Sequence, residues 1–255
     1  MRSPIIGITC DITIPDPAQP QRFRIYSPIA YQDAVARAGG IPLLLSPQPQ
    51  LVDSYLDLLD GLILTGGDDV DVRALGGQLH PKAKVMHPRR QTFDLALLAA
   101  INRRTSPDSP PGPLDDIPTL GICLGMQLMA VHHGGIAALI QHLPDEPGQT
   151  DTTAARHTKD FPHEVRASTP TAKHTIAPGK VASWHHQAVR SNVPLGPLVV
   201  TMSADDGTVE AVEDPMRPFY LGVQWHPERT ADDQLGLDII RKLVEAAATR
   251  RSTRF

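Results

Sequence analysis

Two short motifs, far apart in the sequence, contain the residue types of a nucleophilic enzyme site. The first is Gly121-Ile122-Cys123-Leu124-Gly125-Met126-Gln127, and the second is His226-Pro227-Glu228. A thiolate is a strong nucleophile, and a histidine oriented by a carboxylate is a base that commonly serves it. The two motifs therefore predict a catalytic group in which Cys123 attacks, His226 moves protons and Glu228 orients His226.

The glycines around Cys123 predict a sharp turn from a strand into a helix. An apolar run, Ile117–Leu120, precedes the motif, and an apolar helical pattern follows it. Bulky side chains two residues before or after the nucleophile would collide with the neighbouring backbone. Such a turn holds the sulfur at the C-terminal end of the strand, where the new helix N-terminus favours the thiolate. The alternative is a buried core cysteine, which is common for this residue type.

His226 ends a strand-like run, Leu221–Trp225, and Pro227 fixes the turn after it. Parallel strands place their C-terminal ends on one edge of a sheet, where the active sites of such sheets form. Glu228 can accept the second ring N–H of His226 and so set its tautomer. The alternative for this segment is a strand-capping turn with a solvated glutamate.

Gly66 and Gly67 follow a predicted strand and allow backbone N–H groups to face a ligand oxygen. With the N–H group of Leu124, they could stabilise the oxyanion of a tetrahedral intermediate. The same glycines suit a tight turn that needs positive φ, so both interpretations stay open. Asp68 and Asp69 come next, and their negative charge argues against a phosphate site. Both residues are typical of a turn. The alternative is that one of them contacts an amine of the substrate.

The adjacent pair His185-His186 falls within a predicted strand, on which neighbouring side chains face opposite ways, so only one can face a pocket. No histidine–cysteine spacing in the chain is typical of zinc, and we expect no metal site. Cys10, at the end of the first strand, is assigned to packing, and the alternative is that it lines the pocket.

Composition and charge exclude several classes of function. The chain has 255 residues, of which 41% are hydrophobic and 20% charged, and its formal net charge is -4. This charge argues against a nucleic-acid partner and against an anionic membrane. The apolar stretch at the start is too short for a signal-peptide core, and no run is long enough to span a membrane. With only two cysteines, we expect a reduced, cytoplasmic setting.

Helical and strand-like segments alternate in the first half of the chain, which is typical of a mainly parallel sheet flanked by helices. The predicted strands there are Pro4–Thr9, Pro42–Leu45, Gly61–Thr65 and the run before Cys123, and the predicted helices are Ser27–Ala38, Leu51–Leu59 and Arg89–Arg103. The proline-rich Thr105–Asp116 is predicted to be a surface loop.

The second half is predominantly strand-like and closes with a helix. Its predicted strands are His163–Ala167, Val181–Ala188, Leu198–Ser203, Thr208–Val212 and Tyr220–Trp225, and its helix is Ala231–Ala248. Asp206-Gly207 is a hairpin signal, and Gln149–Pro162 is the least patterned stretch. We therefore predict one α/β domain over residues 1–255, with a central, mostly parallel sheet and a small additional antiparallel sheet in the second half.

These segments together resemble the class I glutamine amidotransferase superfamily and, within it, the γ-glutamyl-γ-aminobutyrate hydrolase family. The resemblance covers nearly the whole chain, and its most specific part is the cysteine motif followed in order by Gly222–Glu228. Its other segments are Pro4–Thr9, Leu64–Val70 and Trp184–Val189.

The resemblance implies a flavodoxin-like fold and a Cys123–His226–Glu228 triad. It implies hydrolysis of a small γ-glutamyl amide through a glutamyl thioester, with no cofactor. Gly67 and Leu124 would provide the oxyanion N–H groups. The residues assigned to the substrate site are Gly66, Gln127 and His186. Whether two copies of the chain form a homodimer is left open.

Several positions depart from the family pattern and bear on the choice of substrate. Val72 stands where the family usually has proline, and Ala74-Leu75-Gly76 stands in place of its Tyr-Gly. Arg90-Gln91-Thr92-Phe93-Asp94 replaces Arg-Asp-x-x-Glu, and Leu124 stands where arginine is frequent. The triad residues themselves are intact.

Three other functions stay open beside the free-standing hydrolase. One is a glutaminase subunit that delivers ammonia to a separate synthetase, which Leu124 favours and the paired histidines oppose. Another is a non-catalytic protein that retains the fold, which the intact triad opposes. The third is a different cysteine hydrolase on an α/β sheet. The sequence favours it less, because many of those enzymes have histidine beside the cysteine, where this chain has Leu124.

Overall fold

The computed structural model of the chain describes residues 2–13, 22–103, 114, 116–150, 155–158, 161–169 and 172–254. Most of the predicted loop at 105–116, and parts of 149–162, lie outside these residues, and those two interpretations stay predictions.

A nine-stranded sheet forms the centre of the fold, and five neighbouring strands of it are parallel. In spatial order these are β4 (Ile41–Leu45), β1 (Ile5–Thr9), β5 (Gly61–Leu64), β6 (Thr119–Ile122) and β13 (Tyr220–Val223). They consist largely of branched and aliphatic residues, as expected for parallel strands buried on both faces. Their C-terminal ends share one edge, which is where the site residues follow.

The same sheet continues beyond β13 with four antiparallel strands. They are β12 (Val209–Glu213), β11 (Val199–Ala204), β8 (His163–Ala167) and β9 (Gly179–Val181). Two small antiparallel sheets pair β10 (Ala188–Val189) with β7 (Leu139–Ile140), and β2 (Asp11–Ile12) with β3 (Ile25–Tyr26).

Helices cover both faces of the parallel half. They are α1 (Ile29–Arg37), α2 (Val52–Leu58), α3 (Pro88–Ile101), α4 (Leu124–Gly134) and α5 (Leu237–Arg254). One apolar core joins the sheet to α2, α3 and α4, through residues such as Leu56, Phe93 and Met126. The other joins it to α1 and α5, through residues such as Val35 and Ile240. Both faces of β1, β5, β6 and β13 are thus shielded from water, which is the main stabilising contribution to such a fold.

The predicted α/β architecture is confirmed, and the antiparallel strands join the parallel ones where β12 pairs with β13. The hairpin signal is also confirmed, because Asp206-Gly207 lies in the turn between β11 and β12. Across the described ranges, no helix combines the length and the apolar character needed to cross a bilayer.

Two predicted elements were wrong in extent. The strand predicted at Val181–Ala188 is broken, because residues 182–187 form a loop. Backbone groups of this loop bond to residues outside the sheet ladder. The His226 N–H donates to the Ala182 carbonyl, and the His185 N–H donates to the His157 carbonyl. The last helix begins at Leu237, because the preceding residues wind into a turn that packs around Gly236.

Candidate active site

Cys123 lies in a strained turn between β6 and α4. Its φ is 53° and its ψ is -106°, and it is the one non-glycine residue with positive φ in the described part of the chain. A residue with a Cβ adopts this conformation only when its surroundings enforce it, and such strain concentrates at functional sites. The Cys123 N–H donates to the Val223 carbonyl at 2.8 Å, which fixes the turn to β13.

The two glycines that flank Cys123 are required by close backbone packing. A Cβ on Gly121 would lie 2.8 Å from the carbonyl carbon of Gly125, and one on Gly125 would collide with the carbonyl oxygen of Leu64. Backbone atoms cannot move aside as a flexible side chain can, so neither position accepts a larger residue.

We expect Gly125→Ala to destabilise the fold, because its methyl group would force α4 away from β5. Overpacking of this kind costs roughly 1–3 kcal/mol. Urea unfolding followed by circular dichroism measures the effect. A free energy of unfolding equal to that of the wild type would show that the turn relaxes without cost.

His226 follows β13, whose register pairs Val223 with Ile122 and so brings the ends of β13 and β6 side by side. The side chain of Cys123 lies close enough to the His226 ring to help raise the pKa of that ring. A Cβ built on Gly66 would lie 2.9 Å from Cε1 of His226 and 3.5 Å from Cβ of Cys123. The residues predicted to form the nucleophile and the base are therefore in contact, with Gly66 packed over both.

Glu228 orients the ring of His226 from the opposite side. Nδ1 of His226 lies 2.7 Å from Oε1 of Glu228, whose side chain is only 2% exposed. An ionised carboxylate only accepts hydrogen bonds, so Nδ1 carries the proton and Nε2 is left to face Cys123. Burial opposes a charge on the ring, but the Glu228 carboxylate and the hydrogen bonds with Cys123 and Glu228 outweigh it and raise the pKa of His226 to about 9.

The N–H groups of Gly67 and Leu124 are suited to bind an oxyanion. Within the described ranges, neither group donates a hydrogen bond to another part of the protein. Leu124 begins α4, where the unpaired N–H groups and the helix dipole favour negative charge. Gly67 packs against the Leu124 side chain, since a Cβ on Gly67 would lie 3.0 Å from Leu124 Cδ2. Gly67 and Leu124 are therefore neighbours, and we call the backbone that they form beside Cys123 the cavity wall.

Arg90 supports this wall, a role that its sequence context did not predict. Its guanidinium donates to the carbonyl oxygens of Thr65 and Gly66, at 3.0 and 2.9 Å, and its side chain is fully buried. Burial opposes its charge, but the carboxylates of Asp94 and Asp11 outweigh this and raise the pKa of Arg90. The i, i+4 spacing of Arg90 and Asp94 on α3 was the available sequence signal.

Gly66 supports the site from behind the cavity wall. Its N–H donates to the hydroxyl of Tyr31 at 3.1 Å, while its carbonyl accepts from Arg90. Both backbone groups are thus used inside the protein, which suits a role in holding the turn. Tyr31 is buried, and burial raises its pKa well above the usual value, so the hydroxyl stays neutral.

A cavity of about 250 Å³ opens beside Cys123. Gly67, Gln127 and His186 border it, and Trp184 forms part of the rim with a side chain that is 55% exposed. The volume suits a small molecule rather than a macromolecule.

Gln127 is held in place by two acceptors. Its amide nitrogen lies 3.1 Å from the Gln187 carbonyl and 3.2 Å from Oε1 of Gln224. This leaves the side-chain position fixed at the cavity wall before any ligand arrives.

The paired histidines diverge, although not as neighbours on a strand. Both border the cavity from the loop at 182–187. His186 is partly exposed, with Nε2 at 2.8 Å from Asp69 and Nδ1 at 3.1 Å from Nδ1 of His142. The His185 ring is buried and directed toward Glu210. Asp69 is therefore a turn residue that positions His186.

Cys10 is buried away from this cavity, as the packing interpretation predicts. Burial raises the pKa of its thiol to about 11, so the thiolate is scarce at neutral pH.

Comparison with known proteins gives both a family match and related sequences. The profile of the family described as Peptidase C26 matches residues 4–228. A "putative glutamine amidotransferase" of Mycobacterium tuberculosis is 37% identical over 227 residues, which cover 88% of this chain and 68% of that protein. The γ-glutamyl-γ-aminobutyrate hydrolase of Escherichia coli strain K12 is 30% identical over 214 residues, 78% of this chain and 76% of that protein.

A solved structure from Thermoplasma acidophilum, described as a "putative gmp synthase subunit a protein", superposes with a TM-score of 0.62. The match covers 100% of this chain and 98% of that one, at 17% sequence identity. At this identity the match establishes the fold alone.

Proposed function

We propose that this chain, which belongs to the Peptidase C26 family and is a hydrolase of carbon–nitrogen bonds, cleaves the γ-glutamyl amide bond of a small molecule. The observation that carries the proposal is the strained Cys123 beside a histidine whose far nitrogen is fixed by a buried glutamate. A protein that only kept the fold would have no need to maintain this strain.

In the first half-reaction, the Cys123 sulfur attacks the δ-carbonyl carbon of the γ-glutamyl group. The N–H groups of Gly67 and Leu124 stabilise the negative charge that develops on the carbonyl oxygen. His226 then gives its Nε2 proton to the leaving nitrogen as the carbon–nitrogen bond breaks. The products of this step are a free amine and a glutamyl thioester on Cys123.

In the second half-reaction, neutral His226 accepts a proton from a water molecule, and the resulting hydroxide attacks the thioester. The sulfur leaves as the thiolate, and the proton stays on His226, which restores the starting state. The overall reaction converts amide and water into glutamate and amine, so it needs no redox partner and no cofactor.

The glutamyl group is bound in the cavity beside Cys123. Gln127 and His186 border this cavity and offer polar contacts for the α-amino and α-carboxylate groups. Gly66 acts indirectly, because its backbone groups are bonded to Tyr31 and Arg90.

A panel of γ-glutamyl amides with different amines tests the proposal. The purified chain alone should release both glutamate and amine from at least one member, with γ-glutamyl-γ-aminobutyrate and glutamine included. Release that is equal in the wild type and in Cys123→Ser would contradict it.

The pH profile should report the protonation of His226. Because its pKa is raised to about 9 and the first half-reaction needs the protonated ring, kcat/KM should fall as the pH rises through about 9. A profile that stays flat to pH 10 or beyond would show that His226 does not supply the proton.

A glutaminase subunit that passes ammonia to a separate synthetase is the second candidate, favoured by the relative described as a putative glutamine amidotransferase. Copurification with a synthetase, together with glutamine turnover only in its presence, would decide for this alternative. Turnover of substituted γ-glutamyl amides by the isolated chain would decide for the hydrolase.

A further inference from the structure

A second group of ionisable side chains lies outside the triad, at the junction of the antiparallel strands and the loop that borders the active-site cavity. Glu210 extends from β12, His163 from β8, and His157 from a short helical turn, while His185 belongs to the loop. All four side chains are buried, and the Glu210 side chain has no exposed surface.

Three imidazole rings converge on one oxygen atom. Oε1 of Glu210 lies 3.0 Å from Nε2 of His163, 3.2 Å from Nδ1 of His157 and 3.7 Å from Nε2 of His185. Ligand atoms bound tetrahedrally to zinc at about 2.1 Å lie roughly 3.4 Å from one another. The three separations from Oε1 of Glu210 are therefore close to those between ligand atoms around a small divalent ion. One ligand atom from each of His157, His163 and Glu210 lies within 4.8 Å of the other two.

In His157 and His185, the ring nitrogen that does not face Glu210 already has a hydrogen-bond acceptor beside it. Nε2 of His157 lies 2.8 Å from a carboxylate oxygen of Asp206, and Nδ1 of His185 lies 2.8 Å from the Gln187 carbonyl. These partners accept hydrogen bonds only, so in the neutral form of each ring they hold its one proton and leave a lone pair on the nitrogen facing Glu210.

Lone pairs that face a carboxylate inside the protein repel it unless a positive charge lies between them. Nδ1 of His157, Nε2 of His185 and Oε2 of Glu210 are buried and have no hydrogen-bond partner among the residues that the structure describes. An acceptor that fixes the far nitrogen of a metal-bound histidine is a common feature of metal sites.

We propose that four side chains bind one divalent transition-metal ion of the zinc type: His157, His163, His185 and Glu210. Three imidazoles and one carboxylate form a closed ligand set, which is typical of structural rather than catalytic zinc. The ion would tie β8 and β12 to the loop that contains Trp184 and His186. This assignment departs from the expectation of no metal, because the ligands are distant in sequence and show no recognisable spacing.

An open cavity of about 270 Å³ leads from the surface to this group and gives an ion a route of entry. His157, His163 and Asp206 border it. A proton is the alternative to an ion, because the two ring nitrogens of His157 lie 2.8 Å from Asp206 and 3.2 Å from Glu210. The experiment must therefore separate an ion from a proton.

The full chain, stripped with a chelator, should take up one equivalent of Zn²⁺ or Co²⁺ in a titration. Co²⁺ should give the visible absorption bands of a tetrahedral site. At a free Zn²⁺ concentration a hundred times the Kd, the Tm should rise by roughly 5–10 °C. If the wild type binds no stoichiometric metal and its Tm is unchanged, the proposal is wrong. The buried cluster is then stabilised by a proton instead of a metal ion.

Variants locate the bound ion. His163→Gln and Glu210→Gln should abolish stoichiometric uptake and the Tm rise. The control His142→Gln removes a histidine of the separate group around His186 and should retain both. Uptake that survives in His163→Gln, or that is lost only in His142→Gln, would overturn the assignment. If a variant fails to fold, the wild-type titration still decides whether metal binds.

Discussion

Replacing Cys123 with alanine should lower the turnover of γ-glutamyl amides at least about a thousandfold, while the protein stays folded. The expected loss is large because the thioester route disappears, and only binding and oxyanion stabilisation remain. Steady-state release of amine measures the rate, and the Tm reports folding.

Cys10→Ala is the matched control for this experiment. Cys10 is also a buried free cysteine, but it lies away from the cavity and its thiol pKa is raised by burial. Its removal should leave turnover within about twofold of the wild type, because it contacts no reacting group. Equal activity of Cys123→Ala and the wild type would eliminate Cys123 as the nucleophile.

Alkylation of the wild type separates the hydrolase from a non-catalytic protein with the same fold. A thiol reagent at neutral pH should modify Cys123 quickly and Cys10 slowly, because only Cys123 faces the cavity beside a protonated imidazole. An inert Cys123 would favour the non-catalytic alternative.

Replacing Glu228 with glutamine should lower kcat by roughly a hundredfold to ten-thousandfold, since a wrongly oriented or wrongly protonated histidine loses most of its function. Glu228 accepts a hydrogen bond from the Nδ1–H group of His226, with the two atoms 2.7 Å apart. A neutral amide keeps the shape of the side chain and removes the charge that stabilises the imidazolium ring.

The same variant should also change the pH profile. The Glu228 charge helps to raise the pKa of His226, so its removal should move the high-pH decline of kcat/KM to lower pH. A role limited to folding would reduce the amount of active protein without moving this decline. An unaltered profile with a normal kcat would show that Glu228 does not act on His226.

The parts of the fold that could be predicted from sequence are those set by local pattern. The short apolar strands in the first half and the glycines around Cys123 determine their own local conformation. The order of the motifs at strand ends then places Cys123 and His226 at one edge of the sheet.

Other features depend on contacts between distant segments and could not be predicted. The strand expected at Val181–Ala188 has a suitable composition, but its backbone groups bond to residues such as His157 and His226. Arg90 reaches the carbonyls of Thr65 and Gly66 only after α3 packs beside β5.

The central claim is that Cys123 carries the glutamyl group during the reaction, and mass spectrometry of the intact protein tests it most directly. When turnover of a γ-glutamyl amide is stopped rapidly with acid, the wild type should gain the mass of one γ-glutamyl group, located on the peptide that contains Cys123. Continued release of amine and glutamate with no such adduct, and with undiminished turnover in Cys123→Ala, would contradict the account.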